Sequence, residues 1–342
     1  MMLIRVQVPA DLTEGVVAAA QEVPGIATVA VRHGASLEPE GDVVEIQAAR
    51  EAVERLIEGL DGLGVRKSGT IALFTPDVVL GDRAREAEEE APGDGSDTVI
   101  WDELEQRTGS DSRLTWQFLV FLVAATNLAG IGIVTDSTIA IVGAMVVGPE
   151  FGPLAALAVA LVERRWSLAR QATVALAVGF PTAMVTVAIA AAVSIPLGLY
   201  DPTAVASQGT AVEFISHPGP YSFIVAVIAG AVGMISLVGN KSSVLVGVFI
   251  SVTTVPAARY VAVALVLGEA DRALGSALQL ALNLAGIVVA AVLVLLLYRA
   301  ITPELPLDAA ARIIRRASHP GAASLHRRPS RQKHDGGHAP RA

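Results

Sequence analysis

The sequence predicts an α-helical polytopic membrane protein preceded by a small α+β domain, and three observations point there. The 342 residues are 53% hydrophobic and only 17% charged, with a mean hydropathy of +0.56, above the apolar share of ordinary soluble domains. The apolar residues concentrate after residue 115, in runs of about 18 or more that are long enough to cross a hydrocarbon layer of about 30 Å. Ahead of them the chain alternates strand-like and helix-like patterns, as a soluble domain does.

Residues 1–80 read as βαββαβ. "MLIRVQVP" alternates apolar and polar. Residues 11–22 suit a helix with Asp11 as N-cap and Glu14 three positions on. "PGIATVAVRHG" and residues 42–48 suit strands. Val53, Leu56, Ile57 and Leu60 recur at helical spacing, and "VRKSGTIALFT" closes the series as a fourth strand. This order predicts a ferredoxin-like cytoplasmic domain, a frame that serves small-ligand sensing and plain dimerisation alike. The opening "MMLIRVQVPADLTEG" has neither the basic start nor the long apolar segment of a secretory signal, so the domain is expected in the cytoplasm.

Residues 81–113 are expected to be a solvated linker. From residue 82 on they hold eleven acids against four basic residues, and "EAEEEAPGDGSD" has no apolar period. The later part suits a short amphipathic helix turning Val99, Ile100, Trp101 and Leu104 to a membrane surface or to the sandwich.

The transmembrane domain is placed at 114–300, with six spans near 115–134, 137–162, 168–197, 221–238, 243–267 and 274–298. Loop charges orient them. Arg164, Arg165 and Arg170 follow the second span, Lys241 lies between the fourth and fifth, and Arg299 follows the sixth, so these loops are expected inside. The loop around residues 200–220, with His217, then lies outside. Both termini are cytoplasmic, and the membrane is the inner (cytoplasmic) one. Net charge is −8, but residues 299–342 hold nine Lys/Arg against three acids, so everything before them is strongly acidic. The tail, 301–342, reads as largely disordered, with anionic lipid head groups as the expected partner of its arginines. His319, His326, His334 and His338 are too irregularly spaced to indicate a metal.

Setting the segment from Asp136 beside the one from Lys241 exposes a weak internal repeat. Each half begins with Ser/Thr after a charge, breaks at proline near mid-span and resumes with Ala, Val and Leu. Three spans per half make it a 3+3 inverted repeat with two broken helices, a transporter pattern. Backbone freed by Pro149, Pro153 and Pro256, with Gly148 and Gly152 beside the first break, must be packed in protein or line a wet cavity. Glu150 carries the same restriction, and Arg259 is its expected counter-charge. Thr253, Thr254, Asn127 and Asn283 complete the expected solute or ion path; for these four, as for Thr126 and Gln279, bridging between helices is the alternative and the more frequent role of such residues.

The runs "DSTIAIVGAMVVGPEFGPLAALAVAL", "VGVFISVTTVPAARYVAVAL" and "ALQLALNLAGIVVAAVLVLLLYR" resemble the hydrophobic domain called domain of unknown function 389, over about residues 112–300. The resemblance implies a bacterial or archaeal polytopic membrane protein, often with a small N-terminal domain. This chain departs from the family pattern in carrying Glu150 where an apolar residue is usual, and Ala257 where a second proline follows Pro256.

No phosphate-cradling loop, paired-histidine zinc helix or nucleophile elbow is visible, and the chain has no cysteine. No enzyme activity, cofactor or nucleic-acid partner is expected. The reading is a transporter or channel-like protein for a small solute or ion, working as a homo-oligomer. The alternative is a membrane-anchored sensor or scaffold whose spans hold and dimerise the N-terminal domain.

Overall fold

A computed structural model describes residues 1–91, 99–199, 219–251 and 253–301. They form two units, one before Pro92 and one from Gly93 on. The expected outer loop with His217, and the basic tail with its four histidines, lie outside the described residues.

In the first unit, alternation builds the sheet. Met2, Ile4, Val6 and Val8 of β1 (Met2–Val8) are buried while the residues between them are only half-buried. β1 pairs antiparallel with β3 (Glu40–Ala48), setting Ile4 opposite Ile46 and Val6 opposite Val44. β2 (Ile26–Leu37) and β4 (Thr70–Phe74) flank this pair in the order β2-β3-β1-β4, antiparallel throughout. Helices α1 (Thr13–Glu22) and α2 (Arg50–Gly62) contribute Val16, Ala19, Val53, Leu56 and Leu60 to the core. Each such Val or Leu contributes about 1.5–3 kcal/mol over its exposed state. Two local expectations change. Leu12, not Asp11, is the N-cap of α1, with no side-chain capping bond, and Thr13 in the first turn gives its hydroxyl to Asp42. Val65–Ser68, expected within the last strand, forms the helical turn α3.

The acidic segment expected as linker contains two helices. α4 (Asp82–Glu90) buries Ala84 and Ala87 in the first unit. α5 (Trp101–Asp111) lies in the second, where Val99, Ile100 and Leu104 are buried. Val99 and Leu104 join the core cluster that includes Leu154 and Val159, and Trp101 packs against it. These side chains cover other helices of that unit.

Eight further helices follow among the described residues. α6 (Trp116–Val134), α7 (Thr138–Val147), α8 (Phe151–Val162) and α9 (Trp166–Ser194) have 19, 10, 12 and 29 residues. α10 (Pro220–Val238), α11 (Ser242–Ser251), α12 (Thr254–Val266) and α13 (Ala270–Ile301) have 19, 10, 13 and 32. The ends match as well. α6 and α10 stop at left-handed Asp136 (φ 48°) and Asn240 (φ 55°), and α8 and α12 at Arg164 (φ 55°) and Gly268 (φ 75°). In each case the following amide caps an earlier carbonyl, Ser137 to Gly132 and Lys241 to Ser236 at 2.8 Å, Arg165 to Ala160 and Glu269 to Ala264 at 2.9 Å. This Schellman closure satisfies carbonyls that a helix end otherwise leaves open.

Among the described residues, α6, α9, α10 and α13 are long and apolar enough to cross a membrane. α7 and α8, bent by 45° at their junction, make a fifth span if taken together. The unit also exposes large apolar side chains, including Ile189 and Val193 on α9 and Leu293 and Leu297 on α13, a surface that suits lipid rather than water. Trp116, Trp166 and Tyr221, at helix starts, are exposed, as interfacial aromatics are.

Candidate functional site

The two breaks meet inside the second unit. At the first, α7 ends at Val147, Gly148 is its C-cap, and Glu150 is the N-cap of α8. Pro149 has no N–H to continue α7, while Pro153 falls in the first turn of α8, where a missing donor costs little. At the second, α12 restarts at Thr254 with Thr253 as N-cap and Pro256 in the first turn.

Glu150 is buried, and its Oε1 accepts a hydrogen bond from the Thr254 hydroxyl at 2.6 Å. Oε2 is buried without a hydrogen-bond partner. The carboxyl group folds back over Gly148, and a methyl there would run into Oε2 and into Val255, so a glycine is what lets the carboxylate sit against its own break.

Beside this pair a polar chain runs through the second set of helices. The Asn283 amide donates to Thr253 Oγ1 at 3.1 Å, the Ser222 hydroxyl donates to Asn283 Oδ1 at 3.3 Å, and Gln279 donates to Ser222 Oγ. All four residues are buried. Each is satisfied by the next, which lowers the cost of polar groups in an apolar interior. On another side, Gly148, Pro149, Phe151 and Gly152 line a cleft of about 330 Å³ together with Asp111, Arg113 and Thr115.

The expected path residues therefore divide. Glu150, Gly148, Thr253, Thr254 and Asn283 come together, and Pro149 and Gly152 face the adjoining cleft. Pro153 and Pro256 are buried in their half-helices. Arg259 is buried with its guanidinium against Gly130 of α6, where a methyl group would meet it. Asn127 bonds the Val123 carbonyl at 2.8 Å and Thr186 of α9 at 3.2 Å, and Thr126 bonds the Leu122 carbonyl within its own helix. Ser222 was not among the expected residues, and a lone serine near the start of an apolar span gives little reason to choose it.

One end of this unit gathers three basic segments. Arg107 of α5 donates to Asn240 at 2.6 Å, Arg165 pairs with Glu105 at 3.2 Å, and Arg299 pairs with Glu163 at 3.5 Å. The connections α8–α9 and α10–α11 and the end of α13 thus share one side.

The first unit holds a second polar cluster. Asp42 of β3 accepts from the Gly34 N–H at 2.9 Å and the Thr13 hydroxyl at 2.7 Å, and lies 2.9 Å from His33 Nδ1. Led by the Gly34 bond, then those of Thr13 and His33, these contacts lower the Asp42 pKa from 3.8 to about 2. The cluster ties α1 to β2 and β3.

Residues 145–289 match the family model described as "Domain of unknown function (DUF389)". An uncharacterised protein of Methanocaldococcus jannaschii is 23% identical over 253 residues, covering 74% of this chain and 74% of that protein. No solved structure matches the chain.

Proposed function

We propose that this chain, a member of the domain of unknown function 389 family through residues 145–289, is a multi-pass membrane protein that passes a small solute or ion between two facing broken helices. The contact between Glu150 and Thr254 carries this reading. It sets a carboxylate and a hydroxyl at two helix restarts, in an interior where ionisable groups are costly and are kept for function.

In this reading α7–α8 and α11–α12 are each one broken span, giving six spans in two inverted halves. The paired helix lengths and the paired left-handed ends support it. An odd number of spans per half turns the second over relative to the first, as in secondary transporters. The shared side of Arg165, Asn240 and Arg299 supports a cytoplasmic placement for those segments and for both termini. The four-stranded sheet, read as ferredoxin-like from its order, would then gate or assemble a homo-oligomer from the cytoplasmic side.

Flux in proteoliposomes, screened over amino acids, organic acids and cations, tests the reading. Wild-type protein should move at least one class, and Glu150→Gln, which keeps the volume and removes the charge, should reduce that movement. A stable Glu150→Gln protein with unchanged flux for every solute would exclude Glu150 as a transport group.

A further inference from the structure

Glu150 Oε2 stands out because nearly all buried polar atoms in folded proteins have a hydrogen-bond partner. Here a residue 7% exposed holds one carboxyl oxygen bonded to Thr254 and the other with no hydrogen-bond partner. Two features adjoin it. The cleft bounded by Asp111, Arg113 and Thr115 reaches Gly148 and Pro149, and the carboxyl group lies over Gly148. On the other side Thr253, next in sequence to the bonded Thr254, opens the chain through Asn283 and Ser222 to Gln279. Ser222 is near the start of α10, whereas the cleft lies at the start of α6.

Few other ionisable groups surround the carboxyl. Helices α6, α7, α8 and α11 contain none, and α10 has Tyr221 at its start. α9 has Arg170 near its start, and α13 has Asp271, Arg272, Tyr298 and Arg299 toward its ends. α12 carries Arg259, against Gly130, and Tyr260. α5 brings Asp111 to the cleft, with Arg113 just beyond it. The helices around the carboxyl are thus almost wholly apolar, and the hydrogen bond in place on it is that from the Thr254 hydroxyl.

We propose that Glu150 is a proton-exchange site, binding its proton at Oε2 and communicating with the Arg113 cleft on one side and with the Thr253–Asn283–Ser222–Gln279 chain on the other. Protonation makes a neutral carboxylic acid that keeps the Thr254 bond through Oε1, and release restores the carboxylate. The proton is then the coupling ion of the transport proposed above, on which the coupling, but not the site, rests.

Dicyclohexylcarbodiimide, an apolar reagent that modifies protonated carboxyl groups, tests this on the full chain in lipid. The expected result is modification of Glu150, located by peptide mass, with a rate that rises as pH falls, by up to about tenfold per pH unit. Glu150→Gln should lose it, and Glu150→Asp should retain it if the glutamine variant fails to fold. Modification at a rate independent of pH, no modification in folded protein, or protection by sodium or potassium at fixed pH would overturn the proposal, the last by making the occupant a metal cation. The transport reading fails separately. pH-dependent modification without flux of any solute keeps the proton site and removes transport, whereas flux without modification keeps transport and removes the proton site.

Discussion

Glu150 Oε1 lies 2.6 Å from the Thr254 hydroxyl, although the residues are 104 positions apart. Each stands at the restart of an interrupted helix, and Val255, next to Thr254, closes over Gly148 next to the first break. One hydrogen bond therefore fastens two places where the backbone ladder is already open. Backbone groups at such breaks depend on protein partners when water is excluded, so local order at both should depend on this pair.

Replacing Thr254 by valine keeps the shape and removes the donor, leaving the buried carboxyl without its hydroxyl bond. The expected loss is about 1–3 kcal/mol, the range for leaving a buried acceptor without its donor, with Thr254→Ser close to wild type. Thermal unfolding in detergent reads the difference. A valine variant as stable as wild type would show that the bond contributes nothing.

At Gly148 a methyl group would overlap the Glu150 carboxyl and Val255, so Gly148→Ala should cost about 1–3 kcal/mol through overpacking and reduce any flux. Gly247, in α11, has nothing near its missing side chain. Gly247→Ala should therefore be neutral, or stabilising by up to about 1 kcal/mol through helix propensity. Equal melting temperatures for the two variants would contradict the close approach at Gly148.

Asp42 predicts an acid-sensitive corner in the N-terminal unit. Its folded pKa is lowered from 3.8 to about 2, so its contribution is present above pH 3.8 and is lost as pH falls toward 2. The protection of the Gly34 amide, which donates to Asp42, against hydrogen exchange, taken relative to the intrinsic rate at each pH, should fall across that window in the wild type. In Asp42→Asn that protection should be low already at neutral pH and change little between those values.

How much of this was legible in the sequence follows from which signals are local. Proline at 149, 153 and 256 announced the breaks, and period-two alternation announced β1 and β3, because both act on the residue's own backbone or face. The partner of Glu150 was not legible. A charge-pairing argument looks first to Arg259, but the bonded group is Thr254, and Arg259 lies against Gly130. That outcome depends on how two distant helices approach, which no local pattern encodes. Asn127 takes the bridging alternative, its amide reaching the Val123 carbonyl and Thr186 of α9. α4 concealed its packing because Ala84 and Ala87, the residues it buries, add almost no hydrophobic signal.

Arg107–Asn240, Arg165–Glu105 and Arg299–Glu163 put three chain segments on one end of the helical unit, and the chain contains no cysteine. Single cysteines can therefore be read without background. Arg164→Cys, Lys241→Cys and Arg299→Cys should behave alike, protected from an impermeant maleimide in intact cells and labelled after permeabilisation. Leu199→Cys, at an exposed position just past the end of α9, should be labelled from outside, because α9 starts beside Arg165 and is long enough to cross. Reaction of all three basic-segment cysteines from outside, with Leu199→Cys protected, would reverse the orientation but keep the shared end. If the three disagree among themselves, the shared end fails, and with it the support that end gives to the cytoplasmic placement of both termini.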